Sequence, residues 1–375
     1  MLSELVRREA IDCSWQDVGG AHVLLSDDEA VAARDKVARL PAELRAQVRL
    51  EWRGEGKAER IRGEAVGVVV QKHGARCWPY KLVVWMLKSM IQGGGGRFNL
   101  QTKTPVVRLQ RAGSGRRDRG GGAQEEESWA RWIVQTPRGQ IAARHVVLAT
   151  NAYTSHLLPQ MARLIVPVRG QICALLPPPR AALLPHDYTW LSHGADDYLI
   201  QRATGHESAL AAGGLIIVGG ERFLVPGGQE SISADDVVEP AIGEALRTAV
   251  PRVLELQEKP QEGRASRLEA AWEWTGIMGY SRDARPWVGR VPAQLLPRGG
   301  EGEEGGKEEE EDGLWICAGF TGHGMPVAPG CGVAVARMLV GRADGVHLPP
   351  EYVACAERLA VAATRAVLPR GAWDH

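Results

Sequence analysis

The sequence predicts a mixed α+β / α/β chain whose lobes gather around a parallel sheet, and three observations carry that prediction. Leu314 to Gly332 (LWICAGFTGHGMPVAPGCG) passes from a short apolar run into a glycine-rich turn and then into a helical pattern. His145 to Tyr153 (HVVLATNAY) is a second apolar run, ending in a small residue, a threonine and an asparagine. Between these two, strand-like runs and helices follow in mixed order, with hairpins in the middle of the chain.

A chain of 375 residues is long enough for two domains or two interleaved lobes with a buried core. Apolar content of 44% and charged content of 24% are those of an ordinary globular protein. With a formal net charge of zero, nothing draws the chain to nucleic acid or to an anionic membrane. The six cysteines are scattered and form no C-x-x-C pair, which implies a reduced, intracellular chain without structural zinc or another metal site. The opening MLSELVRREAIDC carries charge where a signal peptide is apolar, and no apolar run approaches the ~20 residues of a spanning helix. The expected location is cytoplasmic.

Residues 1–13 read as a helix with apolar positions at Leu2, Leu5, Val6 and Ile11, and a strand is expected at Ala21 to Leu25. Ser26 with Glu29 three residues on is a capping box opening a helix towards Leu40. Pro41 interrupts it, a short helix is expected over Ala42 to Val48, and residues 52–64 read as a polar surface segment. From Trp78, WPYKLVVWMLKSMIQGGGG is a helix: Pro79 suits its first turn, Leu82, Val83, Leu87 and Met90 share a face, and Gly93 to Gly96 stop it.

Strands follow at Thr104 to Leu109, Trp129 to Gln135 and Gln140 to Thr150, with a solvated hairpin tip (RAGSGRRDRGGGAQEEES) between the first two. Residues 162–176 read as two strand pieces joined at Pro167 to Gly170, and Tyr198 to Arg202 and Leu215 to Gly219 are further strands. Ala234 to Val250 is a helix, Ala270 to Tyr280 an aromatic-rich strand, and 285–292 a loop. Residues 297–313 (PRGGEGEEGGKEEEEDG) read as a disordered acidic insertion, and 350–366 as a last amphipathic helix.

A strand that ends in glycines and leads into a helix presents backbone N–H groups and the positive end of a helix dipole. Gly319, Gly322, Gly324 and Gly330 supply that pattern, for a flat or anionic ligand or, alternatively, for close packing alone. The strand end at Ala149, Thr150 and Asn151 has the composition expected where a sheet meets a cofactor, so the two ends together could bracket one ligand.

HVVLATNAYTSHLLP, IVPVRGQ, WTGIMGYSRDARPWVGRVP and LWICAGFTGHGMP, in this order, resemble the FAD-dependent amino-acid and amine oxidases, the family of D-amino-acid, sarcosine and glycine oxidases. The variant with WPYKLV and GIMGYSRD is similar to fungal members, and the likeness covers roughly residues 15–345. It implies interleaved lobes: an incomplete Rossmann-like FAD lobe at 79–159 and 286–345, an antiparallel-sheet substrate lobe at 15–78 and 160–285, and a C-terminal helix at 346–375. It implies FAD as cofactor, a small amine or amino-acid substrate and O2 as acceptor, through hydride transfer from the carbon beside nitrogen.

By the same resemblance, Ala149, Thr150 and Asn151 lie beside the nucleotide portion of FAD, and Val106 and Val107 on the segment passing the adenine. Gly319, Phe320, Gly322, His323, Gly324 and Met325 lie under the flavin pyrimidine ring. Pro326 stands where some amine oxidases carry a lysine. Arg169 is either a bidentate carboxylate clamp or a salt-bridge partner. Trp274 and Tyr280 either wall the substrate or belong to the core, His323 packs or acts as a base, and Arg282 with Asp283 reads as a turn ion pair.

The departure is at the start. The family opens with a strand, a G-x-G-x-x-G turn and a helix, whereas Gly93 to Gly96 follow a helix and Gly120 to Gly122 sit in a polar hairpin. The expectation is a gene model lacking the first βαβ unit, or a protein that has lost tight FAD binding. The alternative function is a non-catalytic fragment or pseudoenzyme of the same family.

Overall fold

The predicted cap at Ser26 forms, with Glu29 N–H donating to Ser26 Oγ at 3.2 Å, while the Glu29 carboxylate reaches back one residue further than a capping box does and accepts from Leu25 N–H at 2.7 Å. In a computed structural model of the chain, the described residues are all but 55–59, 113–128, 180, 182, 203–213, 257–265, 297–312, 343, 346, 366–367 and 369–375. The expected hairpin tip and acidic insertion fall almost wholly outside them.

The elements run α1 Leu2–Arg8, β1 Gln16–Leu24, α2 Asp27–Arg39, α3 Ala42–Arg45, β2 Val48–Trp52, β3 Gly67–Arg76 and α4 Pro79–Gly93. Then come β4 Arg108–Arg111, β5 Trp132–Thr136, β6 Gly139–Ala143, β7 Val146–Leu148, α5 Thr154–Leu157 and β8 Ile165–Leu175. The remainder is β9 His186–Ser192, β10 Ala195–Gln201, β11 Ile216–Gly219, α6 Pro240–Val253, β12 Ala270–Ser281, β13 Trp287–Arg290, β14 Leu314–Ala318, α7 Gly324–Leu339 and α8 Ala356–Ala362.

The chain divides into two units, one of Met1–Asn99, Arg169–Gln229 and Ala234–Gly276, the other of Leu100–Val168, Glu230–Ser233 and Ile277–His375. In the first, the strands order as β12-β8-β11-β10-β9-β1-β3-β2. That sheet is mixed and not purely antiparallel, because β1 pairs with β9 in parallel. One of its faces is the core: Val23, Val68, Cys173, Trp190, Leu199 and Val218 pack with Leu246, Ala249 and Val250 of α6. In the second unit β13-β14-β7 and β4-β5-β6 form two three-stranded sheets, with β14 and β7 parallel. Leu148, Ile165, Trp287, Leu314 and Ile316 fill the core there.

Several expectations need correction. Residues 285–292 are not a loop, since Trp287 to Arg290 pair with Trp315 to Ala318 as β13. The run 140–150 is two strands, with a break at Arg144 and His145. Conversely, β8 runs unbroken through Pro167, whose missing N–H costs no ladder bond to β11, where pairing begins at Ile172. The helix expected from Val333 begins at Gly324, and the last helix is only Ala356–Ala362. Residues 48–52 form β2, so the short helix before it ends at Arg45.

Candidate flavin-edge site

Two parallel strand ends meet in the second unit. β14 ends at Ala318, and the chain turns through Gly319, Phe320, Thr321, Gly322 and His323 into α7. Gly319 (φ +81°), Thr321 (φ +52°) and Gly322 (φ +79°) are left-handed, which glycine tolerates and a β-branched residue resists. The surroundings over-determine the strained threonine. Thr321 N–H donates to Gly279 O at 2.7 Å, and its hydroxyl accepts from Ser281 N–H at 3.0 Å and faces Gly319 O at 3.3 Å.

From β7, Asn151 reaches across to the same turn. Its Oδ1 accepts from Gly319 N–H at 2.9 Å and from Phe320 N–H at 3.2 Å. Asn151 is itself left-handed (φ +41°), a conformation asparagine tolerates better than most side chains. Gly279 leaves room for this carboxamide, because a Cβ there would lie 2.7 Å from Oδ1. Thr150 and Thr154 share a hydroxyl–hydroxyl bond of 2.9 Å that steadies the chain beyond.

With those N–H groups occupied, the outward part of the turn is Gly322 and the first residues of α7. The side chain of His323 does not cap that helix, and Met325 is 53% exposed. The orphan N–H groups and positive dipole end of α7 are therefore open to solvent or to a ligand. Over Gly322 lie Tyr280 and Met278: a Cβ on this glycine would sit 3.3 Å from Tyr280 Oη and 3.7 Å from Met278 Sδ.

The structure thus gathers Asn151, Gly319, Phe320, Gly322, His323, Gly324, Met325 and Tyr280, with Ala149 and Thr150 at the adjoining strand end. Val106 packs against the core that contains Leu148 and Trp287. Asp283, expected to pair with Arg282, is instead held by Arg358 of α8 through bonds of 2.7 and 2.9 Å, while Arg282 donates to Arg163 O. Burial pushes the Asp283 carboxyl up. The bonds and charge of Arg358, with Ser281 and Arg285 N–H, outweigh that and hold it below the usual carboxylate range. Thr321, Ser281 and Gly279 were absent from the expected site. Their role is main-chain stitching, which leaves no compositional mark.

In the first unit, Arg169 is 6% exposed, and its guanidinium donates to Gln229 Oε1 at 2.7 Å and Glu239 Oε1 at 2.8 Å. It shares side-chain parity with Gln171 and Cys173, on the α6 face of the sheet. The opposite face carries a row of neighbours in register, His22, Thr189, Tyr198, Gly219 and Ile172. Trp274, 40% exposed, stands on this open face, because Glu273 and Thr275 take the other parity to meet Gln171 and Asp235 O. Tyr198 lies over Gly219, where a Cβ would come within 2.6 Å of its hydroxyl.

Among the described residues no group of three or more metal-ligating side chains exists, and no helix is long and apolar enough to cross a membrane. A family model described as FAD dependent oxidoreductase matches residues 1–338. Gamma-glutamylputrescine oxidoreductase of Escherichia coli (strain K12) is 21% identical over 352 residues, covering 92% of this chain but 66% of that relative. Glycine oxidase from Geobacillus kaustophilus superposes with a TM-score of 0.64 at 17% identity, over 94% of this chain and 78% of that one. Iminodiacetate oxidase from Chelativorans gives 0.63 at 18% identity, over 94% and 80%. These structural likenesses show the fold.

Proposed function

The chain belongs to the FAD dependent oxidoreductase family, and from that premise we infer that it oxidises a C–N bond of a small amine or amino acid, with FAD as its cofactor and O2 as acceptor. The observation that carries this reading is the turn at the carboxyl end of β14, pinned by Asn151 and leading into the uncapped N-terminus of α7. Gly322 is solvent-exposed at that turn, and on the side away from Tyr280 and Met278 its left-handed backbone is bare for a flat ring. The residues present fit one edge of FAD. Among the described residues no strand-to-helix G-x-G-x-x-G turn offers its pyrophosphate the same.

FAD, when bound, supplies the hydride acceptor that no side chain provides. This chain's residues do the rest. The first turn of α7 places partial positive charge at the ring edge that Gly322, Gly324 and Met325 would hold, favouring electron uptake there. Asn151 and Thr321 fix the backbone so that this dipole is aimed before any ligand arrives. His323 enters as a packing residue, its N–H held by Phe320 O at 3.0 Å. Arg169 enters as the ion-pair partner of Glu239 and not as a carboxylate clamp, since Gln229 and Glu239 already engage its guanidinium. Tyr280, above Gly322 and otherwise packed with Val166, Val168 and Leu368, enters as a substrate contact through its hydroxyl end; Trp274 stands separately on the open sheet face of the first unit.

The named relatives and neighbours act on amines and amino acids, which supports the reaction class. A family match across residues 1–338 does not favour the alternative of a non-catalytic fragment. The test is reconstitution of the full chain with FAD, followed anaerobically with a panel of amines and amino acids. Flavin absorbance that co-elutes with protein and bleaches with substrate is expected. Absence of bound flavin, or flavin that no member of the panel reduces, would refute the reading.

A further inference from the structure

We propose that the substrate is an amine whose reacting carbon bears no carboxylate, recognised by a neutral wall of Met278 and Tyr280 over Gly322. The inference deepens the function just proposed and rests on its placing the reacting carbon near this turn. Within the second unit, the atoms nearest a Cβ at the exposed Gly322 belong to Tyr280 and Met278, while Ile165 and Trp287, nearest Gly319, are fully buried in the core. All are apolar or hydroxyl groups.

The Arg358 guanidinium of α8, set against the turn that follows β12, is already spent, and Arg282 on that turn donates to Arg163 O. Arg358 forks onto Asp283 and also donates to the carbonyls of Pro286, Tyr352 and Arg285. Both side chains of that pair are 8% exposed, so withdrawing Arg358 for a substrate would strand a buried carboxylate. Taken by itself, the first unit repeats the pattern. Arg169 points to the α6 face and is held by Glu239, while the open face presents Trp274 and Tyr198. Aromatic faces and a thioether suit an alkyl amine, whose nitrogen they stabilise as a cation or leave neutral. A carboxylate set against them loses water and gains no fork of N–H donors. Within the turn from Gly319 to Met325, His323 is the sole ionisable side chain.

Matched pairs that differ only by the carboxylate decide the matter: phenethylamine against phenylalanine, and N-methylphenethylamine against N-methylphenylalanine, each enantiomer assayed. In the FAD-loaded full chain, kcat/KM for flavin reduction is expected to favour the amine by at least thirtyfold, equivalent to about 2 kcal/mol. Equal or better turnover of the amino acid by the wild-type protein overturns this inference and leaves the oxidase reading standing.

Flavin reduction by neither class overturns both. Binding gives a second readout: phenethylamine should perturb the flavin spectrum at lower concentration than phenylacetate, and the reverse order sinks the proposal. Met278→Arg, which places a guanidinium in the wall, should move the preference at least tenfold towards the amino acid. If that variant does not fold, the wild-type pairs still separate the two outcomes.

Discussion

Asn151→Ala tests whether the glycine turn between β14 and α7 is held by one carboxamide. The substitution removes the acceptor of two N–H groups, at 2.9 Å from Gly319 and 3.2 Å from Phe320. Gly319 is buried, so its N–H would lose an acceptor without gaining water, at about 1–3 kcal/mol. Phe320 is half-buried and recovers part of its loss from solvent. Alanine must also occupy the left-handed conformation of residue 151, at roughly 1–2 kcal/mol. Together these amount to about 3 kcal/mol, which for a domain of this size lowers Tm by about 6–12 °C. Asn151→Asp keeps both the acceptor and the tolerance for positive φ and should stay within about 1 kcal/mol of wild type. Calorimetry reads this shift directly. If Asn151→Ala melted within about 2 °C of wild type, or Asn151→Asp were as damaging as alanine, the stitching argument would be wrong.

Gly322→Ala forces a left-handed alanine beside Tyr280 and should cost about 1–2 kcal/mol, with FAD uptake weakened at least tenfold in a fluorescence titration; unchanged uptake would remove Gly322 from the cofactor site. Arg358→Ala leaves Asp283 unpaired in the interior and should destabilise the second unit by about 3–5 kcal/mol in urea melts. Because the folded pKa of Asp283 is depressed, this pair's contribution is complete above the ordinary carboxylate pKa near ~4 and fades as pH falls through the folded value. Asp283→Asn should therefore flatten the acid limb of the stability curve. Burial, with Glu273 beside it, pushes the Cys173 thiol up to about 12, and burial pushes Cys317 up to about 11. At pH 8 iodoacetamide should label neither in the native protein and both in urea, as mass spectrometry reads directly.

The sequence was informative where periodicity and punctuation act locally. Pro79 and the glycines after Gln92 bound α4, the Ser26 cap placed α2, and the glycine turn stood where β14 meets α7. It was silent where tertiary pairing decides. β3 and β9 were not anticipated, although each is a central strand that pairs on both sides. The helical reading of α7 began nine residues late, because Pro326, Pro329, Gly330 and Gly332 lower local helix propensity. Packing of Cys331, Ala334 and Val335 beneath Trp315 and Val288 overrides that cost. For the site, composition pointed to Asn151 and the glycines. It could not reveal that Asn151 Oδ1 is spent on the turn's backbone, nor that Arg358, far along the chain, rather than Arg282, answers Asp283.

The pleat of β8 limits how this scaffold can diversify. Gln171 and Cys173 look towards α6, and Arg169 shares their parity, so a new side chain at 169 remains on the α6 face whatever its chemistry. Point mutation there explores stability and leaves ligand choice almost untouched. Bringing a residue at that position round to the face of Trp274 and Tyr198 needs a one-residue insertion in the strand, since a shift of one exchanges every side chain between faces. Along β8, new ligand preferences are thus expected to arise by insertion or deletion, and comparison of relatives should show length changes in this strand where substrate class changes.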